Sequence, residues 1–160
     1  MDIYEYAMKM EKDGEDYYRR LAEETENKGL KTIFTMLAEE ELKHYNAIKE
    51  MKTGKPQMAD TTILTDSKNI FSQIQKDGDK IDLDIKQTEV YKKAQDIEKK
   101  SEDFYREKAN EAEDEYQREL FLKLAEEEKK HYFLLENIIQ FVSRPEIWLE
   151  NAEFYHLEEY

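Results

Sequence analysis

The spacing of apolar residues in the first third of the chain predicts two helices, each with one buried stripe. Apolar positions recur at alternating steps of three and four, which places side chains on one face of an α-helix. The first stripe is Tyr4, Ala7, Glu11, Gly14, Tyr18 and Leu21, and the second is Phe34, Leu37, Glu41, His44, Ile48 and Met51. Both predicted seams therefore contain polar residues where a helix bundle normally has apolar ones.

The same pattern returns in the second half of the chain. Its stripes are Tyr91, Ala94, Glu98, Ser101 and Tyr105, then Phe121, Leu124, Glu128, His131, Leu135, Ile138 and Val142. A shift of 87 positions sets Glu11 on Glu98, His44 on His131 and one LAEEE run on the other without a gap. Charged helices share residues by composition alone, but chance does not keep aromatic and histidine positions together. The pattern indicates a duplicated helical hairpin.

The predicted architecture is an all-α antiparallel four-helix bundle in a single domain, residues 1–160. Helices are predicted at about 2–27, 30–52, 88–112 and 115–143, giving hairpin repeats 2–52 and 88–143. Turns fall near 26–29, where Gly29 is expected to take a positive φ, and near 112–115. A long crossover, 53–87, joins the hairpins and carries a predicted short helix near 67–76. The tail, 144–160, predicts a short C-terminal helix that packs Trp148, Leu149 and Phe154 on the bundle.

Composition supports the helical prediction and narrows the chemistry. Four glycines and two prolines among 160 residues, 40% of them charged, provide few turns and many solvated helix faces. An apolar fraction of 39% is enough for one core. The absence of cysteine excludes disulfides, Cys-ligated zinc and iron–sulfur or rubredoxin-type centres within these residues.

Net charge and hydropathy address partners and location. A formal net charge of −14 opposes binding to nucleic acid and to anionic membrane surfaces. The N-terminus has no basic segment followed by an apolar run, and no stretch approaches the roughly 18 apolar residues that span a bilayer. We therefore expect a soluble cytoplasmic protein with no nucleic-acid or membrane partner.

Glutamates on a buried stripe require compensation. Burying an unpaired carboxylate costs many kcal/mol, against the roughly 5–15 kcal/mol that keeps a domain folded. Glu41 and His44 lie three residues apart, about 4.5 Å along the helix axis, so that both side chains can reach one ion. Glu128 and His131 repeat this arrangement. The two Glu-x-x-His motifs therefore predict metal ligands.

Each hairpin also brings a second glutamate level with its motif. Glu11 and Glu41 lie equally far from the first predicted turn, as do Glu98 and Glu128 from the second. Two hairpins packed about a pseudo-twofold axis would gather four carboxylates and two imidazoles, which balance two divalent cations. The predicted metal ligands are Glu11, Glu41, His44, Glu98, Glu128 and His131.

These motifs resemble the rubrerythrin-like branch of the ferritin superfamily. The resemblance covers about 3–142 and rests on EKDGEDYY with LAEEELKH and on EKKSEDFY with LAEEEKKH. It implies a ferritin-like bundle with two iron ions that reduces peroxide or dioxygen, an external electron donor such as a rubredoxin-like protein, and a homodimer. Two departures concern the rubrerythrin peroxidase route: Ser101 stands where rubrerythrin usually has another glutamate, and these 160 residues include no rubredoxin domain.

Several choices stay open at this stage. Manganese or zinc could replace iron at oxygen-rich ligands with two imidazoles. Tyr18 and Tyr105 are either core residues or residues that take part in redox chemistry or contact the metal ligands. Glu15 and Glu102 are further candidates for contacts with the ligands. Four glutamates beside the motifs are expected to be solvated: Glu39, Glu40, Glu126 and Glu127. His156 is expected to be a surface or packing residue.

Three functions share the same six ligands, so the sequence does not choose among them. The leading prediction is an oxidoreductase that acts on peroxide or dioxygen. The second is an iron-binding protein or ferroxidase of the ferritin-like type. The third is a metal-stabilised structural or sensory module without catalysis.

Overall fold

The structure, a computed structural model, describes residues 2–77 and 85–143, and only the helical backbone of 85–87. The described residues form helices α1 Ile3–Glu24, α2 Lys28–Met51, α3 Ile63–Lys76, α4 Ile85–Glu111 and α5 Glu115–Ser143. These ranges contain no strand, which confirms the predicted all-α class. None of these helices is both long and apolar enough to cross a membrane.

Side-chain caps set the bounds of the first two helices. The Asp2 carboxylate accepts a hydrogen bond from the Glu5 amide at 2.8 Å, and Asn27 accepts one from the Leu30 amide at 3.0 Å. Between them Thr25 is extended, with φ −86° and ψ 126°, and its hydroxyl donates to the Leu21 carbonyl at 2.6 Å. Helix α1 therefore ends at Glu24, three residues before its predicted end.

Gly29 corrects the prediction for the first turn. It lies in the first turn of α2 with no positive φ, since Asn27 caps the helix before it. A Cβ on Gly29 would lie 2.4 Å from both Cδ1 and Cγ1 of Ile74 and 3.1 Å from Cγ2 of Ile70. The glycine is needed for close packing of the end of α3, and not for backbone conformation.

The described chain divides into two compact units. The first contains the α1–α2 hairpin and residues 69–77, and the second contains residues 64–68 and the α4–α5 hairpin. The predicted seams are buried in both except at Tyr4 and Met51, which are half-buried: Phe34, Leu37 and Ile48 are fully buried in the first, as are Tyr105 and Leu124 in the second. Each duplicated hairpin is thus confirmed by itself. The four-helix arrangement and the single domain stay predictions.

The crossover begins as an irregular segment that contacts α2. Lys43 Nζ donates to the Ala59 carbonyl at 3.2 Å, and the Thr61 hydroxyl donates to the Glu40 carboxylate. Helix α3 then starts at Ile63, earlier than the predicted 67. Residues 78–84 and the tail 144–160 lie outside the described residues, together with the predicted C-terminal helix, Trp148, Leu149, Phe154 and His156.

Candidate metal centre

The first hairpin gathers three of the predicted ligands. Glu11 projects from α1, and Glu41 and His44 project from adjacent turns of α2; their exposed fractions are only 1%, 3% and 0%. His44 Nδ1 lies 3.5 Å from Glu11 Oε2. One ligand atom from each of the three residues lies within 4.8 Å of the others. The level placement that the hairpin geometry predicted is therefore present.

The second hairpin repeats the arrangement. Glu98 on α4 and Glu128 and His131 on α5 are exposed by 1%, 1% and 0%, and one ligand atom from each also lies within 4.8 Å of the others. His131 Nδ1 lies 3.4 Å from Glu98 Oε1. In both hairpins the same imidazole nitrogen faces the carboxylate of the partner helix.

The donor atoms fit a divalent metal ion. Carboxylate oxygens and imidazole nitrogens bind such ions at about 2.0–2.2 Å, so two atoms on one ion lie at most about 4.4 Å apart. Separations within 4.8 Å approach that limit, and small side-chain rotations close the difference. A cation also supplies the positive charge that buried carboxylates require. In each hairpin, the two glutamates and the histidine form a cluster that could hold a metal ion.

Glu15 and Glu102, the further candidates for contacts with the ligands, form ion pairs with basic residues. Arg19 donates to Glu15 at 2.8 Å, and Arg106 donates to Glu102 at 2.9 Å, each one turn along its own helix. Burial would raise the pKa of Glu15, but hydrogen bonds from Arg19 and Lys12 hold it below the ordinary value. Each carboxylate is thus paired with an arginine one turn along the helix, and lies one turn from a candidate metal ligand.

Arg106 additionally connects two helices. Its guanidinium donates to Glu126 of α5 at 3.0 Å as well as to Glu102 of α4. The hydrogen bond to Glu126 raises the pKa of Arg106, burial lowers it, and the bond to Glu102 raises it further; the net effect is a rise. The second hairpin therefore has a charged link across its helices beside the ligand positions.

The expectation of four solvated glutamates beside the motifs is half right. Glu39 and Glu126 are exposed. The Glu40 side chain is only 15% exposed because Lys43 and Thr61 contact it, and Glu127 is only 2% exposed. Helical periodicity identifies the seam, but it does not show that another segment covers a neighbouring face.

The candidate tyrosines are core residues. Tyr18 is 3% exposed and Tyr105 fully buried, and the Tyr105 ring stacks on Phe121 with centroids 6.1 Å apart. Tyr18 packs edge-on against Tyr17. Core packing therefore accounts for both positions. A role for their hydroxyls in redox chemistry or in contacts with the metal ligands stays a prediction.

Gly14 lies beside a predicted ligand, a placement that sequence reasoning missed. It lies inside α1 on the seam, and a Cβ there would lie 3.2 Å from Glu41 Oε2. A glycine inside a helical pattern usually has a packing reason, and that signal was available. Only the structure identifies Glu41 as the neighbour.

Comparison with known families agrees with this geometry. The sequence model of the rubrerythrin family matches residues 2–139, which include all six candidate ligands. The chain belongs to the rubrerythrin family. Neither the curated proteins nor the solved structures give a significant match. Rubrerythrin membership confirms the resemblance found in the Glu-x-x-His segments and the ferritin-like helical class. The family implies metal binding, typically of iron.

Proposed function

We propose that this chain is a di-iron carboxylate oxidoreductase that reduces peroxide or dioxygen with electrons from a separate donor. The observation that carries the proposal is that each hairpin independently gathers one glutamate and one Glu-x-x-His motif, all buried. A structural role for the glutamates would not require the same three ligand types at repeat-equivalent positions.

The six side chains would hold two metal ions in one centre. Glu11, Glu41 and His44 supply one half, and the repeat-equivalent residues of the second hairpin supply the other. Four carboxylates neutralise two divalent cations, and the two neutral imidazoles add no charge. Oxygen-rich ligands with imidazole and no thiolate favour iron or manganese over structural zinc, and family membership favours iron.

The apolar seam would keep bulk water from the centre. Leu37 and Leu124 lie one turn before the motif glutamates, and Ile48 and Leu135 lie one turn after the motif histidines; all four are fully buried. Such walls limit access to small uncharged molecules, a class that includes dioxygen and hydrogen peroxide. When bound, two ferrous ions supply the two electrons that convert peroxide to water.

The electron donor is proposed to be a separate protein. The 160 residues of the chain contain no cysteine, so they cannot hold a rubredoxin-type iron that would return electrons to the centre. Sustained turnover therefore requires a rubredoxin-like or other external donor. We further propose that the protein acts in the cytoplasm and that it is a homodimer. Its molar mass, measured by size-exclusion chromatography with light scattering, would test the homodimer.

Anaerobic iron loading followed by a single oxidant pulse tests the proposal. The loaded protein should contain two ferrous ions per chain, and substoichiometric hydrogen peroxide should oxidise one centre per peroxide. Stopped-flow absorption of the ferric product gives the rate, and the experiment is repeated with dioxygen. If neither oxidant reacts faster than with free ferrous ion in the same buffer, the oxidoreductase proposal is wrong and iron binding without this chemistry takes its place.

Thermal melts test the buried centre independently of turnover. Metal that binds only the folded state must raise the melting temperature. Metal-loaded protein should therefore melt above protein stripped by a chelator, with metal content verified in both samples. Coincident melting curves would contradict a buried metal centre.

A further inference from the structure

Gly14 occupies a position where a glycine is costly for the helix. It lies in the middle of α1, Ile3–Glu24, and apart from proline no residue is less favourable in a helix interior. The residue is buried and has no positive φ, so backbone conformation does not require a glycine there. Its presence needs another physical reason.

The reason is the Glu41 carboxylate on the facing helix. A Cβ on Gly14 would lie 3.2 Å from Oε2, 3.3 Å from Cδ and 3.5 Å from Cγ of Glu41. The first two separations are shorter than ordinary van der Waals contacts of a Cβ. The Glu41 carboxylate thus uses space that any other residue at position 14 would fill.

The second hairpin has a different residue at the equivalent position. Ser101 is 7% exposed and provides both a Cβ and a hydroxyl where α1 has only hydrogen. The repeat-equivalent positions therefore differ by a side chain. A Cβ is already present in α4, whereas its absence from α1 leaves the space that Glu41 uses.

We propose that Gly14 is a positioning residue that lets the Glu41 carboxylate lie against α1, which makes the metal geometry of the first hairpin dependent on the absence of a side chain there. This inference rests on the proposed metal centre. A free carboxylate can rotate away from a new methyl group, whereas one held by an ion cannot. A side chain at position 14 should therefore impair metal binding without impairing the fold.

The test compares Gly14→Ala with Ser101→Ala, its matched control at the repeat-equivalent position. Stripped protein is titrated with Co²⁺, whose visible absorption reports ligand geometry, and with Fe²⁺ under anaerobic conditions. We expect Gly14→Ala to bind either ion about 10–100-fold more weakly, with an altered Co²⁺ spectrum. Ser101→Ala keeps the Cβ, so its affinity and spectrum should match the wild type.

Melting of the stripped proteins separates positioning from folding. Alanine favours a helix, so stripped Gly14→Ala should melt about 2–4 °C above stripped wild type. Stabilised apo-protein with weakened metal binding is a combination that a purely structural role does not produce. If stripped Gly14→Ala is unfolded or melts lower, the proposal is overturned, because the contact then matters without metal.

The remaining outcomes separate this proposal from the proposed function. Wild-type metal binding in Gly14→Ala, or equal weakening in both variants, overturns the role of Gly14 and leaves the metal centre intact. Absence of Co²⁺ and Fe²⁺ binding by the wild type overturns both.

Discussion

The two hairpins carry the same ligands but are supported in different ways. The first uses two glycines for close approach, Gly14 facing Glu41 and Gly29 facing Ile74. The second has Ser101 and Tyr116 at these positions and links its helices through side chains. Besides Arg106 to Glu126, Gln95 donates to the Tyr132 carbonyl at 3.3 Å and to the Glu136 carboxylate at 2.9 Å.

This difference separates what the candidate site requires from what the scaffold can vary. A glutamate level with Glu-x-x-His is present in both hairpins, as the proposed metal centre requires. The contacts around the candidate ligands have diverged: Gly14 leaves room for Glu41 in the first hairpin, whereas Arg106 and Gln95 link the two helices of the second. Equal ligands therefore do not imply equal response to mutation.

The largest expected effect comes from removing a ligand carboxylate from either hairpin. Glu41→Gln and Glu128→Gln each replace a charged donor by a neutral amide of similar shape. Loss of an outer-sphere partner already costs about 10–100-fold in affinity, so each variant should bind iron at least about 100-fold more weakly. Metal analysis after dialysis measures this, with the exposed Glu39→Gln as control. Two tightly bound ions in both variants would disprove the assignment.

Gly29→Ala should be the largest purely structural perturbation and should act only on the first hairpin. Its methyl group would meet Ile74 at 2.4 Å, and overpacking typically costs about 1–3 kcal/mol, more than alanine gains in helix propensity. Urea unfolding should therefore show a destabilisation of about 1–2 kcal/mol. The double variant Gly29→Ala with Ile74→Ala should lose less stability than the sum of the losses in the two single variants, because the shortened side chain at position 74 removes the clash. Simple additivity would contradict the packing explanation.

Arginine substitutions compare the charged links of the two hairpins directly. Arg106→Ala breaks bonds to Glu102 and Glu126, whereas Arg19→Ala breaks the pairing with Glu15 on its own helix. Because these side chains are partly exposed, we expect about 1 kcal/mol for Arg106→Ala and about half that for Arg19→Ala. Urea denaturation of the stripped proteins measures both. Equal costs would show that the bond to Glu126 contributes nothing to stability.

The smallest effect concerns pH and Glu15. Its folded pKa is lowered, so the folded state binds fewer protons than the unfolded state near that pKa, and acid weakens folding. The stabilisation by ionised Glu15 is present above the unfolded pKa of about 4.3 and is lost as the pH falls through the folded pKa. The stability gap between wild type and Glu15→Gln, about 0.5 kcal/mol at pH 7, should close in acid. A gap that widens below pH 4 would contradict this sign.

Much of the site could be predicted because one periodic pattern encodes it twice. The positions of Glu11, Glu41 and His44 follow from a seam of period three and four and from equal distances to a turn, and the repeat supplies an internal check. The ends of the helices could be predicted less accurately from the sequence. The extended backbone of Thr25 ends α1, and Asn27 caps the start of α2 two residues later. In the sequence, neither residue by itself marks the end or the start of a helix.

Contacts with the crossover could not be predicted, because they join segments without a shared period. The sequence favours a turn at Gly29 because nothing around this glycine indicates that the Ile74 side chain packs against it. Glu40 looked solvated because its helix face is polar, yet Thr61 covers it. Periodicity describes each helix by itself, whereas these contacts depend on the path of an irregular segment between helices.

The packing over Gly29 has a practical consequence for protein engineering. Both hairpins turn in three residues. The second residue after the first turn is Gly29, which packs against α3, whereas Glu113 and Asp114 in the second turn are exposed. Tolerance of insertion depends on burial of the affected backbone and not on its being a loop. An epitope tag or a protease site is therefore better placed at 113–114 than at the otherwise similar 25–27.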